Sequence, residues 1–431
     1  MAMTAIRTDV GKKVPRIDGG RLLARIEEIG AIGATAGGGV SRLAFTDEDV
    51  ECRTVLSRYM LEAGLEVEVD PAGNLFGSIP GRKDGAPVLL LGSHVDTVPD
   101  GGRLDGTYGV LAAVEVLDTI KRLNIKIDHP MTVVAFANEE GTQGARGMWG
   151  SHALVGDLTP EDKCTRNEHG VSIAELLTRV GGDVESLADA VWPTDRIGAY
   201  FELHIEQGPI LEQLGVEVGV VEAITGRVAV TVVVRGRSNH AGTTPMELRR
   251  DAMAAASRLV LAVEDLASQE RMVRVATVGH CVVEPNAWNV IPGVVRLSVD
   301  LRAVTVQELE AGVTRMRAIS AEVARSTGTQ IEVTSEHRVD PVSCDPGLRQ
   351  LIKDSADLLG VSCHALPSGA GHDAQIVGKV APVGMIFVPS KGGVSHVPAE
   401  ATDPEHLVAG ADVLLHTVLN WCDSFASQGE A

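Results

Sequence analysis

The first group of residues that could do chemistry lies in the glycine-rich segment 92–106, which carries His94, Asp96 and Asp105. Imidazole and carboxylate side chains are good ligands for zinc and similar divalent metals. Asp96 is spaced to hold the second ring nitrogen of His94 and so to orient the ring. These residues indicate a metal site, provided that the rest of the chain supplies further ligands.

Three later segments supply further candidate ligands. Glu139 and Glu140 are adjacent carboxylates, and a bound cation would relieve their mutual repulsion. His204 ends a third apolar segment, and His396 lies in a loop near the C-terminal end. If Asp105 is shared, these side chains can hold two metals, each with an open position for water, and one carboxylate remains as a base. The alternatives are a solvated acidic turn for the two glutamates and a core or surface histidine for His204.

Buried strands must position these side chains. The uniformly apolar runs at 88–92 and 131–137 predict buried parallel strands, and residues 199–208 predict a third. Folds of the α/β class place their chemistry in the loops at the C-terminal ends of such strands. Helices are expected at about 47–63 and 109–123. The predicted catalytic domain is therefore α/β, with its site at one edge of a parallel sheet.

The pattern of the chain changes near residue 225. Residues 225–338 predict the element order β-α-β-β-α-β, a ferredoxin-like unit that can form its own domain. The α/β pattern resumes afterwards, with helices at about 346–359 and 404–421. We therefore predict a catalytic domain in two segments, residues 1–224 and 339–431, with an inserted domain between them. Residues 1–20 are expected to be a loose leader.

Composition and charge exclude several classes of function. The net charge of −20 and an aromatic content of 3% argue against a nucleic acid or an anionic membrane as a partner. No run of 18 apolar residues and no signal-peptide region are present, so neither a transmembrane helix nor secretion is expected. The six cysteines form no Cys-x-x-Cys motif, which favours free thiols and a cytoplasmic location.

The motifs together resemble the amidase/hydantoinase/carbamoylase branch of the dinuclear zinc aminoacylase and carboxypeptidase superfamily. That branch contains N-carbamoyl-L-amino-acid hydrolases, β-ureidopropionases and allantoate amidohydrolases. The resemblance covers roughly residues 20–425 and rests on these motifs: Gly-Ser-His94-Val-Asp96, Asp105-Gly, Glu139-Glu140-Gly, Glu202-Leu-His204-Ile-Glu-Gln207-Gly-Pro, Asn239-His240-Ala-Gly-Thr-Thr-Pro, Asn289-Val-Ile-Pro, Asp300-Leu-Arg302, Ser368-Gly-Ala-Gly-His372-Asp and Ser395-His396-x-Pro-Ala-Glu.

The resemblance implies a role for each candidate ligand. One metal is expected on His94, Asp105 and His204, and the other on Asp105, Glu140 and His396, with Glu139 as the general base. Exopeptidase relatives usually have a carboxylate where this chain has His204, so the histidine points to the branch that hydrolyses ureido groups. Two zinc ions per subunit are expected, although manganese, cobalt and nickel suit the same ligands.

The resemblance also implies substrate contacts and an assembly. Gln207, His240, Asn289, Arg302 and Gly369 match positions that hold the carboxylate and the ureido oxygen of the substrate. Arginine can grip a carboxylate with two hydrogen bonds, and histidine and asparagine can donate to a developing oxyanion, which makes His240 a catalytic candidate as well. In the resembling family the inserted domain forms a dimer and acts as a lid. A homodimer in which His240 reaches the site of the other chain is therefore expected.

Two segments that bear on the substrate depart from the family pattern. Many relatives have Arg-Phe shortly after Glu-Glu-Gly, where this chain has Thr142-Gln-Gly-Ala-Arg-Gly. Allantoate-cleaving members tend to have an arginine pair after the glycine matched by Gly226, where this chain has Arg227-Val-Ala. We therefore favour an N-carbamoyl-L-amino acid, with allantoate or N-carbamoyl-β-alanine as alternatives. The alternative of another class is a catalytically silent relative that binds ureido or amino acids.

Overall fold

The computed structural model describes residues 14–426, without the side chains of residues 334–336 and 425–426. The chain forms two compact units. The first contains residues up to 222, 344–366 and the residues from 372 onwards, and the second contains residues 223–343 and 367–371. The predicted leader lies largely outside the described residues, and the first helix begins within it at Gly19.

The strands are β1 Glu66–Val69, β2 Leu75–Ile79, β3 Val88–His94, β4 Met131–Phe136, β5 Ile197–Ile205, β6 Val218–Ile224, β7 Gly226–Arg235, β8 Val275–Glu284, β9 Val294–Ala303, β10 Gln330–Val339, β11 Val342–Ser343, β12 Cys363–Ser368 and β13 Val383–Val388. The α-helices are α1 Gly19–Gly30, α2 Asp47–Glu62, α3 Thr107–Arg122, α4 Trp149–Leu154, α5 Ile173–Thr178, α6 Ile210–Leu214, α7 Ala252–Ser268, α8 Val306–Thr327, α9 Pro346–Leu359, α10 Asp373–Val377 and α11 Pro404–Ala426.

The sheet of the first unit has the strand order β1-β2-β4-β3-β5-β13-β6. The four strands at its centre, β4, β3, β5 and β13, run parallel. Every residue of β3 and β4 is buried, as their uniformly apolar sequences predict. The strand β3 continues past the predicted end at residue 92 and includes His94. Because parallel strands end at the same edge of a sheet, the loops after β3, β4, β5 and β13 meet there.

The helix α3 fixes the centre of this unit. All of its residues from Thr107 to Ile120 are buried, and it packs on β3, β4 and β5 and against α1 and α11. Each fully buried aliphatic side chain contributes about 1.5–3 kcal/mol to stability relative to its exposed state. Because burial extends to the first residue of the helix, Thr107, packing fixes the position of the helix start. This matters for the site because α3 begins two residues after Asp105.

The second unit is an antiparallel sheet with the strand order β10-β7-β9-β8, and its helices are α7 and α8. Its element order is the β-α-β-β-α-β that the sequence predicts. Alternate residues of β7 and β9 are buried against the two helices, whereas β8 is largely exposed at the edge of the sheet. The α/β fold class is confirmed, while a role of this unit in dimerisation or as a lid stays a prediction.

Several elements were not predicted. The strands β6 and β12 pair with each other, and the short helix α10 follows His372. The sequence of β12 is short and contains Pro367, so its strand conformation depends on pairing with β6 rather than on its own propensity. Among the described residues, no helix combines the length and the apolar character needed to cross a membrane.

Candidate metal centre and substrate-binding residues

The predicted ligands of the first unit meet at the C-terminal edge of the parallel strands. His94 is the last residue of β3, and His204 is the last but one of β5. Glu139 and Glu140 follow β4, and His396 lies in the loop after β13. Three groups of side chains among the described residues could hold a metal ion, and two of them consist of predicted ligands, one of His94, Asp105 and His204 and the other of Asp105, Glu140 and His396. The third group, of Glu202, His204 and His372, was not predicted.

In the first group, two imidazole rings face one carboxylate oxygen. Asp105 Oδ1 lies 3.5 Å from His94 Nε2 and 3.1 Å from His204 Nε2. The His204 Nδ1 atom lies 2.9 Å from the carbonyl oxygen of Ile205 and therefore donates its proton there. The backbone N–H of Gly106 lies 3.1 Å from His204 Nε2. Because the Ile205 carbonyl fixes Nδ1, the ring is oriented with Nε2 towards Asp105, as the ring of a metal-binding histidine is oriented by a partner on its other nitrogen.

The structure changes the predicted role of Asp96 in detail. The atom nearest to His94 Nδ1 is the backbone carbonyl oxygen of Asp96, at 3.0 Å, while the carboxylate oxygen Oδ1 lies at 3.8 Å. The Asp96 carboxylate instead accepts the backbone N–H groups of Glu139 and Glu140, each at 3.2 Å. The carboxylate is drawn to those two donors because they would otherwise be buried without a partner. Asp96 therefore orients both the His94 ring and the loop of the two glutamates.

The second group uses the other oxygen of the same aspartate. Asp105 Oδ2 lies 3.1 Å from His396 Nε2, and Glu140 Oε1 lies 3.5 Å from the same nitrogen. The two oxygens of Asp105 thus face different groups of candidate ligands. Glu140 Oε1 and Gln207 Oε1 are buried and have no hydrogen-bond partner among the described residues. Imidazole and carboxylate donors together with unpaired buried oxygens fit divalent cations.

The backbone of the site is strained at three positions. Asn138, Gln207 and His396 have φ values of 50°, 58° and 61°, in the left-handed region that residues other than glycine rarely occupy. His396 is a candidate metal ligand, Gln207 is a candidate substrate-binding residue, and Asn138 directly precedes Glu139. Strain of this kind persists only where the surrounding structure imposes it, and it concentrates at functional sites.

Burial and charge shift the pKa of the acidic groups in opposite directions. Burial raises the pKa of Glu139 well above its usual range, and burial and the neighbouring Asp105 raise that of Glu140 to about 7. Burial opposes ionisation of Asp105 as well, but contacts with three histidines hold its pKa well below the usual range.

The histidines respond to the same carboxylates. The hydrogen bond to Asp105 raises the pKa of His396 to about 9. Although burial opposes their charge, Glu139 raises the pKa of His94 and Asp105 raises that of His204. A proton and a metal cation use the same lone pairs and the same negative field, so these shifts mark a place where a cation is favoured.

Two contacts near Asp105 were not assigned from the sequence. Glu400 accepts the backbone N–H groups of Leu104 and Asp105 at 2.9 and 3.1 Å, and the hydroxyl of Ser395 lies 2.7 Å from Glu400. The motif Ser395-His396-x-Pro-Ala-Glu contained both residues and could have indicated them. Gln207, which was predicted to bind substrate, donates from Nε2 to Asp105 Oδ2 at 2.7 Å.

The remaining predicted residues lie in the second unit and form two pairs. His240 and Asn289 are neighbours, because His240 pairs with Val290 and the N–H of Ala241 donates to the carbonyl of Asn289 at 2.9 Å. His240 Nδ1 accepts the N–H groups of Gly242 and Thr243, so the exposed ring presents its Nε2 proton as a donor. That is the form needed to donate to an oxyanion.

Arg302 and Gly369 form the other pair, in which Arg302 Nη1 donates to the Gly369 carbonyl at 2.7 Å. Arg302 also contacts Asp300 at 3.0 Å. The two pairs lie at opposite ends of the sheet, because Asn289 precedes the start of β9 at Val294 and Arg302 is near its end. A strand rises about 3.3 Å per residue, so roughly 26 Å separates Val294 from Arg302. One small ligand cannot contact both pairs of the same chain.

The fold and the site define an α/β protein with imidazole and carboxylate groups suited to divalent cations. The model of the peptidase family M20/M25/M40 matches residues 90–420, and the chain belongs to this family. It is 41% identical to an N-carbamoyl-L-amino acid amidohydrolase of Geobacillus stearothermophilus over 93% of this chain and 98% of that protein. It is 37% identical to an allantoate amidohydrolase of Bacillus subtilis over 90% of this chain and 94% of that protein.

The fold comparison agrees with the sequence comparison. A crystal structure of an amidase of the hydantoinase/carbamoylase family from Burkholderia multivorans matches with a TM-score of 0.87 and 40% identity, over 94% of this chain and 98% of that chain. The predicted resemblance to the amidase/hydantoinase/carbamoylase branch is therefore confirmed.

Proposed function

We propose that this protein is a metal-dependent amidohydrolase that hydrolyses the ureido C–N bond of an N-carbamoyl-L-amino acid. Water is added, and the products are the L-amino acid, CO2 and ammonia. The observation that carries the proposal is the position of Asp105, whose two oxygens face two separate groups of histidine and carboxylate ligands. Support also comes from the relatives, among which four at 34–41% identity are named N-carbamoyl-L-amino acid amidohydrolases.

In this proposal two divalent metals bind per chain, one on His94, Asp105 and His204 and the other on Asp105, Glu140 and His396. When bound, the metals polarise the ureido carbonyl and lower the pKa of water. Zinc is the first ion to test, and manganese, cobalt and nickel also suit these ligands.

Glu139 acts as the general base in this proposal. Its Oε2 lies 3.7 Å from His94 Nε2, so its carboxylate borders the first group of ligands. Its backbone N–H is fixed by Asp96, as described above. A carboxylate in this place can take a proton from the attacking water and return it to the leaving nitrogen.

The substrate contacts belong to the proposal as well. Arg302 and Gly369 would hold one end of the substrate, Gln207 would border the metals, and His240 and Asn289 would donate to the developing oxyanion. Because about 26 Å of strand separates the two pairs of the second unit, both can reach one small substrate only if they come from different chains. We therefore infer a homodimer in which His240 and Asn289 serve the site of the partner chain.

The cytoplasmic location predicted from the sequence stays part of this proposal. All six cysteines of the chain are free thiols, which fits a reducing compartment.

The test is a substrate panel on the purified protein after reconstitution with zinc, manganese or cobalt. N-Carbamoyl-L-amino acids with different side chains are compared with their D forms, N-carbamoyl-β-alanine and allantoate, and ammonia release is measured. We expect the highest kcat/KM for an N-carbamoyl-L-amino acid. Preference for allantoate would favour the second candidate, which the Bacillus subtilis relative supports. Metal uptake without ammonia release from any member of the panel would favour a silent binding protein.

A further inference from the structure

Arg42 is an arginine with no solvent exposure in the segment before α2. Its guanidinium donates from Nε to the carbonyl of Val95 at 2.7 Å and from Nη2 to the hydroxyl of Thr107 at 2.9 Å. Nη1 donates to the carbonyls of Ile29 and Ile32, both at 3.0 Å. Within the described part of the chain, Arg42 forms no salt bridge with a carboxylate. The hydrogen bonds of its guanidinium all go to uncharged carbonyl and hydroxyl oxygens.

The acceptors of Arg42 lie beside two of the proposed metal ligands. Val95 lies between His94 and Asp96, directly after β3. Thr107 is the first residue of α3, two positions after Asp105. The backbone of Arg42 adds to the connection with the segment after β3. Its N–H donates to Thr97 Oγ1 and its carbonyl accepts the N–H of Thr97, each at 2.9 Å. One residue thus ties the strand end that carries His94 to the helix start that follows Asp105.

Burying a cation is costly unless its hydrogen bonds are satisfied. The end of α1 lowers this cost, because the carbonyl of Ile29 lies in the last turn of the helix, at the negative end of its dipole. The carbonyl of Ile32 follows two residues after the end of the helix. Only the planar, forked guanidinium can reach acceptors on three different segments at once, and lysine cannot replace it. We therefore expect that Arg42 is needed for its hydrogen bonds to these three segments and not only for its volume in the core.

We propose that Arg42 is a positioning residue that fixes the distance between His94 and Asp105 and thereby tunes metal affinity. This inference rests on the proposed function, in which both residues bind the same metal. Ligands must be held to within about 0.5 Å of the productive geometry, and residues that orient ligands typically change metal affinity 10–100-fold when they are replaced.

The test compares metal affinity in Thr107→Val and Thr107→Ser. Valine has the shape of threonine but removes the acceptor of Arg42 Nη2, whereas serine keeps the hydroxyl. The full-length variants are stripped with a chelator and titrated with Zn²⁺ against a competing indicator, and the visible spectrum of bound Co²⁺ reports the ligand geometry. We expect about 10-fold weaker binding at one site of Thr107→Val, with an altered Co²⁺ spectrum, and affinity within twofold of wild type for Thr107→Ser.

Arg42→Lys and Arg53→Lys separate positioning from general stability. Arg53 is also buried and donates to a backbone carbonyl, that of Gly73 at 2.6 Å, but it bonds neither ligand segment. Arg42→Lys should weaken metal binding at least as much as Thr107→Val does. Arg53→Lys should lower the melting temperature of the metal-free protein and leave metal affinity unchanged.

The outcomes also distinguish this inference from the proposed function. If Thr107→Val keeps wild-type metal affinity and the wild-type Co²⁺ spectrum, Arg42 has only a structural role and the inference is wrong. That result leaves the proposed function intact, provided that the wild-type protein in the same series binds metal and releases ammonia. A wild-type protein that takes up no metal would overturn both.

Discussion

Asp105 Oδ1 lies 3.1 Å from His204 Nε2, while the opposite nitrogen of the His204 ring is held by the carbonyl of Ile205 at 2.9 Å. The hydrogen bond of Nδ1 to the Ile205 carbonyl thus orients the imidazole so that Nε2 faces the Asp105 carboxylate. Asp105 presents its second oxygen to His396 at 3.1 Å. Asp105 therefore belongs to both groups of candidate ligands.

The first prediction concerns metal content. Asp105→Asn should lose both metals, because a neutral amide is a poor bridge between two cations. His204→Ala and His396→Ala should each lose one metal and keep the other. Metal per chain is measured by atomic emission after gel filtration. His240→Ala serves as the control, because His240 belongs to the second unit, and it should keep the wild-type content. Two metals in Asp105→Asn would contradict the shared carboxylate.

The second prediction separates the two adjacent glutamates. Glu139→Gln should lower kcat at least ~100-fold, the usual contribution of a general base, with metal content unchanged. Glu140→Gln should instead lower metal occupancy, and excess metal should restore part of its activity. The measurements are kcat and metal content of the same preparations. Near-normal turnover in fully metallated Glu139→Gln would rule out its role as the base.

The third prediction concerns assembly. His240→Ala and Glu139→Gln chains should each be inactive as homodimers. If His240 acts on the site of the partner chain, a mixed dimer has one site with both defects and one site with neither. Activity should then return towards half the wild-type value for each mixed dimer.

Subunit exchange in this experiment must be shown separately, by co-purification of differently tagged chains. If exchange occurs and no activity returns, each site is built from one chain. A fully active monomer in solution would also exclude the arrangement.

The fourth prediction concerns acid stability and His152, whose side chain is 5% exposed. Burial, together with Arg146 and Lys379, lowers its pKa from 6.5 to about 4. The unfolded chain therefore binds a proton at a higher pH than the folded chain does. This difference does not lower the free energy of unfolding above pH 6.5. As the pH falls from 6.5 towards 4, the free energy of unfolding decreases by about 3 kcal/mol over the whole interval.

Replacing His152 with glutamine should flatten the dependence of the urea unfolding midpoint on pH between 7 and 4.5. The control is His169→Gln, because the His169 side chain is already 77% exposed in the folded chain, so its surroundings change little on unfolding. Equal slopes for wild type and His152→Gln would show that burial of His152 does not contribute to acid sensitivity.

Much of this molecule follows from local sequence alone. The apolar runs of β3 and β4 specified buried parallel strands, and the helices α2, α3 and α9 were predicted to within a few residues. The convergence of His94, Glu139 and His204 at one sheet edge could also be inferred, because parallel strands place their C-terminal ends together. The candidate ligands could be collected from the ends of the predicted strands, and the motifs around them resemble those of the family to which the chain belongs.

Other features were decided by tertiary structure. The sequence could not show that the Asp96 carboxylate binds the N–H groups of Glu139 and Glu140, because that choice depends on which donors are left unpaired when β3 and β4 come together. The role of Arg42 was also hidden, since its acceptors come from segments up to 65 positions away. The separation of His240 from Arg302 depends on strand direction and length. Such long-range pairings arise only when the chain packs, because no local pattern encodes which distant polar groups will meet.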